Sequence, residues 1–291
     1  MEAYHVIPLL TGLCFAVGAL CIKRATTLGL GPWRTTFFSN LVLFLMAAPF
    51  WFFGEPIREW ESLGMPLFIG SIFFVGQLLW CLAIHKGDVS LLTPLMGTKA
   101  VFVAFVVSIW LGEDLSPLVW VAAVLSAIAV LLLRGRSEAE RKRVVYSLVL
   151  GLGCSIAYAV GDSAMQAFGS ELGYEKLIAG TFSVVMAWSL VLIPLFRGPV
   201  SEISRTAWSW LLAGSALWAV QSCLMAYAVG VYGKAAVINV IYSSRGVWGV
   251  VLVWVVGHWF SNDEKALGGD VLGRRLIGAL LLIVAIVAVM S

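Results

Sequence analysis

Ten long apolar runs make up most of this 291-residue chain, near 5–22, 33–53, 64–84, 90–111, 117–133, 144–168, 177–196, 207–230, 236–259 and 273–290. A run of about 17–25 apolar residues crosses a bilayer core about 30 Å thick as a helix. The same core holds no water to satisfy free N–H and C=O groups, so open sheet edges are excluded there. The chain therefore reads as an all-α membrane protein with ten transmembrane helices. Composition agrees, with 61% hydrophobic residues and only 12% charged, where soluble domains carry about a quarter charged.

The same composition removes several function classes. A net charge of +3 with three histidines offers no basic block for nucleic acid. The five cysteines, Cys14, Cys21, Cys81, Cys154 and Cys223, all lie in apolar runs without C-x-x-C spacing, so neither a disulfide framework nor a metal site is expected. No cofactor motif is present, and no G-x-x-x-x-G-K-[ST] loop supports direct ATP drive. The chain runs apolar from Val6 with no Lys or Arg before it, so the first run is expected to stay as a helix rather than leave as a signal peptide.

The charged stretch from Arg134 to Arg143 splits the chain. It predicts a first five-helix repeat over 1–136, a linker over 137–143 and a second five-helix repeat over 144–291. Two comparisons of the halves set the register: Gln77 matches Gln221 at an offset of 144, and Lys99 matches Arg245 at 146. Around the cations, Gly97-Thr98-Lys99-Ala100-Val101-Phe102 parallels Ser243-Ser244-Arg245-Gly246-Val247-Trp248. An odd number of helices per half makes the second repeat enter the membrane from the opposite side, which gives two inverted repeats.

Lys99 and Arg245 stand near the middle of their runs, where a cation costs about 2.5–3.5 kcal/mol and normally lines a cavity, a pathway or a paired core. Tyr242 and Trp248 flank Arg245 at three residues either side and offer it stacking surface. Asp162, with Tyr158 and Gln166 four residues to either side, is a candidate counter-ion or proton-coupling group. An end of helix 6 soon after Asp162 would instead make it interfacial. Gln77 and Gln221, each one turn from a tryptophan, are candidate substrate contacts or interhelical glue.

Away from those two cations, fourteen of the remaining Lys and Arg residues fall on one side of the predicted membrane and three on the other. That bias puts the linker in the cytoplasm and both termini outside.

The run Leu82-Ala83-Ile84-His85-Lys86-Gly87-Asp88-Val89-Ser90-Leu91-Leu92, followed one helix later by Leu111-Gly112-Glu113, resembles the EamA-type members of the drug/metabolite transporter superfamily. Ile22-Lys23 resembles the lysine that often ends the family's first helix. The likeness covers nearly the whole chain and implies a ten-helix carrier, usually with both termini in the cytoplasm, against the charge bias. Three places depart from the family pattern: Phe15-Ala16 stands for Trp-Gly in helix 1, Lys99-Ala100 for a helix 4 proline, and Gly257-His258-Trp259 for the close of helix 9.

Together these features predict a secondary transporter for a small anionic or zwitterionic metabolite, in a multi-pass cell-membrane protein (the inner membrane in a bacterium), with a homodimer allowed. Lys99, Arg245, Tyr242, Trp248, Gln77 and Gln221 are the expected substrate contacts, and Asp162 the counter-ion. The alternatives are a non-transporting scaffold or receptor, or an intramembrane enzyme, for which no H-E-x-x-H, G-x-S-x-G or aspartyl pair is found.

Overall fold

The computed structural model describes residues 2–55, 60–86, 96–132, 141–256 and 269–290, and every regular element among them is helical. The first half contains α1 (Ala3–Thr27), α2 (Pro32–Ala47), α3 (Gly64–Lys86), α4 (Lys99–Trp110) and α5 (Pro117–Leu132). The second contains α6 (Arg141–Leu172), α7 (Tyr174–Ser189), α8 (Arg205–Tyr232), α9 (Ala235–Tyr242), α10 (Arg245–Val256) and α11 (Gly269–Met290). Pro32 and Pro117 open their helices, where the missing N–H is harmless. Ser204 caps α8 by accepting from the Ala207 amide at 3.1 Å, and Gly233, at φ 59°, ends it in the left-handed region.

Among the described residues six helices are long and apolar enough to cross a membrane: Ala3–Thr27, Pro32–Phe52, Gly64–Ala83, Leu148–Leu172, Tyr174–Leu195 and Arg205–Tyr232. Lys99–Trp110, Pro117–Ala129 and Ile277–Met290 are shorter apolar helices. The expected run 90–111 and the expected linker over 137–143 begin outside the described residues, and the Gly257-His258-Trp259 segment lies outside them; the last three linker residues, 141–143, open α6.

The run read as one helix over 236–259 is two. α9 and α10 meet at Ser243-Ser244, where the Ser243, Ser244 and Gly246 amides donate to the carbonyls of Val240, Ile241 and Ser243, three residues back, at 3.0–3.1 Å. The Ser243 hydroxyl also donates to the Asn239 carbonyl at 3.1 Å, a local bond that competes with the regular ladder. Hydropathy stays high across the break, so the apolar pattern does not register it. In the first half a short 3₁₀ turn, Met96–Thr98, leads into α4 in the same way. Lys99 and Arg245 are thus each the first residue of a helix that follows a tightened turn.

Helix pairings come in matched sets. α1 packs on α8 as α6 packs on α3, α2 on α8 as α7 on α3, and α4 on α6 as α9 and α10 on α1; α2 pairs with α7, and α5 with α11. Glycines permit the closest of these approaches, as membrane helices require in the absence of a hydrophobic drive between them. A Cβ at Gly18 would stand 2.6 Å from the Trp218 ring, and one at Gly161 would overlap the Phe73 ring. Large apolar side chains such as Leu45, Phe105, Ile109, Val149 and Leu280 face outward, as lipid demands. Aromatic clusters mark both ends: Phe37, Phe38, Phe196 and Trp208 at one, and Tyr4, Tyr232, Tyr227 and Tyr174 at the other.

A candidate solute site at the broken helices

Lys99 opens α4, and because helical Cα–Cβ bonds tilt toward the N-terminus its side chain is carried back over the preceding turn. There its Nζ meets Asp162 Oδ2, from the middle of α6, at 2.7 Å. The same oxygen accepts a second bond from Asn239 Nδ2 on α9, also at 2.7 Å, and that amide donates in turn to the Ala235 carbonyl at 3.0 Å. All three side chains are buried. A buried ion pair offsets its desolvation only when further hydrogen bonds complete the geometry, and Asn239 supplies one.

Arg245 opens α10 and turns the same way. Its Nη2 donates to the Met96 carbonyl at 3.2 Å, and its guanidinium carbon lies 5.0 Å from the centroid of Phe15 and 4.6 Å from that of Tyr242. Lys99 Nζ stands 5.7 Å from the Tyr158 centroid and 5.9 Å from that same Tyr242 ring, so one tyrosine faces both cations. Trp218 stacks on Phe15, with centroids 5.7 Å apart, and its indole N–H donates to the Phe15 carbonyl at 3.2 Å. Arg245, Phe15, Tyr158 and Trp218 come from four helices and are each half-buried.

Two helix faces build this site in parallel. On α1, Gly12, Phe15 and Ala19 lie on one face; on α6, 143 residues later, stand Ser155, Tyr158 and Asp162. A Cβ at Gly12 would sit 2.8 Å from Ser244 Oγ and 3.1 Å from the Arg245 amide nitrogen, while Ser155 Oγ donates to Met96 Sδ at 3.6 Å. Phe15 then carries Arg245 as Tyr158 carries Lys99. One turn further, Asp162 binds Lys99, whereas Ala19 offers nothing ionic. Among the described residues Arg245 has no carboxylate partner.

The other expected site residues are placed differently. Trp248 does not stack on Arg245, because the arginine points back toward Tyr242 and away from the turn that carries Trp248; its second ring is Phe15. Gln77 Oε1 accepts from Asn40 Nδ2 at 2.6 Å, and Asn40 also donates to Ser189 Oγ at 2.7 Å, which makes a polar tie between α2, α3 and α7. Gln221 stays half-buried on α8 and joins neither cation among the described residues. α6 continues through Leu172, so the helix does not end soon after Asp162, which lies ten residues before its close. Sequence reasoning did not find Phe15, Asn239 or the role of Tyr158 as a ring beneath Lys99. The signal for Phe15 was its offset of 143 from Tyr158, in a register set by the glycines 18 and 161.

One turn beyond Asp162, Gln166 Nε2 donates to Glu113 Oε1, and Gln166 Oε1 accepts from the Ala235 amide at 2.8 Å. This bridge ties the segment after α4 to α6 and to the first turn of α9. Burial pushes the Glu113 carboxyl above its ordinary range, and the bond from Gln166 opposes that rise. Among the described residues no three His, Cys, Asp or Glu side chains gather as a metal site.

Residues 4–135 match the model of the EamA-like transporter family. Over that stretch, a little under half of the chain, the sequence is similar to the EamA-like members of the drug/metabolite transporter superfamily. The family points to a membrane transporter, and the apolar helices to a multi-pass membrane protein. No curated protein matches the sequence. The chain is similar to a solved structure titled only as a crystal structure of a protein, at 15% identity and a TM-score of 0.78 over 98% of this chain and 96% of that one. At that identity the likeness shows a shared fold.

Proposed function

We propose that the chain is a secondary transporter that moves a small anionic or zwitterionic metabolite by alternating access between two inverted five-helix repeats. The observation that carries this reading is the meeting of Lys99 and Arg245 at one tyrosine, Tyr242, each at the start of a helix that follows a tightened turn. Broken helices with their N-terminal ends at mid-depth are a recurrent way to hold an anionic group in a membrane carrier. The matched helix pairings support the repeat, and the family match, which stops at residue 135 near the charged linker, supports its boundary. Lys99, Arg245 and Tyr242 are the proposed core of the solute site, with Gln77, Gln221 and Trp248 in outer positions and Asp162 as counter-ion. Coupling comes from an ion gradient, from exchange or from the solute's own gradient.

The test has two stages. A metabolite library screened for thermal stabilisation of the purified protein identifies a solute, since a ligand of the native state raises stability by mass action. Proteoliposomes then take up that solute, and Lys99→Gln or Arg245→Gln sharply reduces the uptake. Uptake unchanged in both variants would discard the site, and a stabilising solute that never crosses would favour the receptor reading.

A further inference from the structure

We infer that the site is built to hold one net negative charge, read by Arg245 alone, and that Ala19 is the position that makes it so. This rests on the transporter reading above and narrows it from anion or zwitterion to monoanion. On α6 the face Ser155, Tyr158, Asp162 meets the turn before α4, and its last member neutralises Lys99 at 2.7 Å. On α1 the face Gly12, Phe15, Ala19 meets the turn before α10, with the Arg245 amide nitrogen against Gly12 and the guanidinium over Phe15. The next residue up that face is Ala19, a methyl group where the other half has a carboxylate. Lys99 is therefore satisfied within the protein, and Arg245 is the charge left for a ligand. Lys99, Asp162 and Arg245 sum to one positive charge.

Solutes separate on that sum. A monoanion brings the enclosed group to neutrality, a zwitterion leaves the excess positive charge in place, and a dianion replaces it with an excess negative charge. An uncompensated charge in a low-dielectric interior is the costly state. Phe15 and Tyr242 lie against the guanidinium, and Trp218 backs Phe15, so the body beside the anionic group is apolar and planar.

The experiment uses probes that share one ring and differ in charge: phenylacetate, phenylglycine, phenylsuccinate, phenylacetamide and benzylamine. Thermal stabilisation ranks them on the full chain. Phenylacetate is expected to lead in the wild type and to lose about tenfold or more in affinity in Arg245→Gln, the size of a lost charge-assisted hydrogen bond. Ala19→Asp supplies the missing carboxylate and should hand the lead to phenylglycine or phenylacetamide, while Ala19→Asn keeps the wild-type order. Arg245→Gln decides the matter even if Ala19→Asp fails to fold. A wild type led by phenylglycine or phenylsuccinate, one stabilised by none of the five, or a folded Ala19→Asp still led by phenylacetate would overturn the inference. Labelled uptake into proteoliposomes separates the two claims. Phenylacetate that binds in the expected order but never crosses removes the transporter reading alone, and phenylglycine carried in its place removes this inference alone.

Discussion

Asp162 serves two donors through one oxygen, and that makes it the side chain whose loss should be felt most. Asp162→Asn leaves Lys99 charged and unmatched in a buried place, a change that costs about 3–5 kcal/mol where such pairs have been broken. The melting temperature of the purified protein should fall sharply. Lys99→Met combined with Asp162→Leu should recover much of it, since apolar replacement of a whole buried pair is often neutral or better. A double variant as unstable as the single would show that the pair is not what holds α4 against α6. Tyr242 separates ring from hydroxyl: Tyr242→Phe keeps the face that both cations share, whereas Tyr242→Leu forfeits about 0.5–2 kcal/mol at each of them. Solute affinity should follow that order, and equal losses would give the hydroxyl, not the ring, the main role. Lys99, Arg245 and Asp162 were legible in the sequence because a charge in an apolar run is conspicuous. Asn239 and Phe15 were not, because an amide near a predicted helix start and one phenylalanine among sixteen look ordinary until the helices are packed.

At the scale of the helix, apolar periodicity located α1, α3 and α8 to within a few residues because each is one uninterrupted apolar rod. It failed at Ser243-Ser244, where the chain breaks through hydrogen bonding and not through any loss of hydropathy. The break is held from outside by α1: a Cβ at Gly12 would press on Ser244 Oγ at 2.8 Å and on the Arg245 nitrogen at 3.1 Å. Gly12→Ala should therefore cost about 1–3 kcal/mol, the usual range for overpacking, and weaken solute binding by moving Arg245. A variant with unaltered melting and binding would mean that the break is not braced there. The Glu113–Gln166–Ala235 bridge makes a further prediction, of pH dependence. A carboxyl whose native pKa is raised binds its proton more tightly folded than unfolded, so its contribution is present below the ordinary value of 4.5 and is lost as pH rises through the native value. Melting temperatures compared across that window should show this decline in the wild type and not in Glu113→Gln. Parallel curves would remove Glu113 as its source.

Across the whole molecule, the matched pairings account for how two unlike half-sequences converge on one centre. Gly18 receives Trp218 and Gly161 receives Phe73, so each half closes on an aromatic ring from the helix it packs against. The proposed five-plus-five division rests on the linker and on the offsets of 144 and 146. The correspondence of α1 with α6 could not, because its members, Phe15 with Tyr158 and Ala19 with Asp162, share place and not residue type. The transporter proposal requires that the surroundings of Arg245 open in turn to both sides of the membrane. It is tested most directly with Phe15→Cys in a chain whose five native cysteines have been replaced. A membrane-impermeant maleimide is added to sealed vesicles of each orientation, with Leu45→Cys as the lipid-facing control. Labelling of residue 15 from both faces is the predicted result, and labelling from one face only, or from neither, would contradict it.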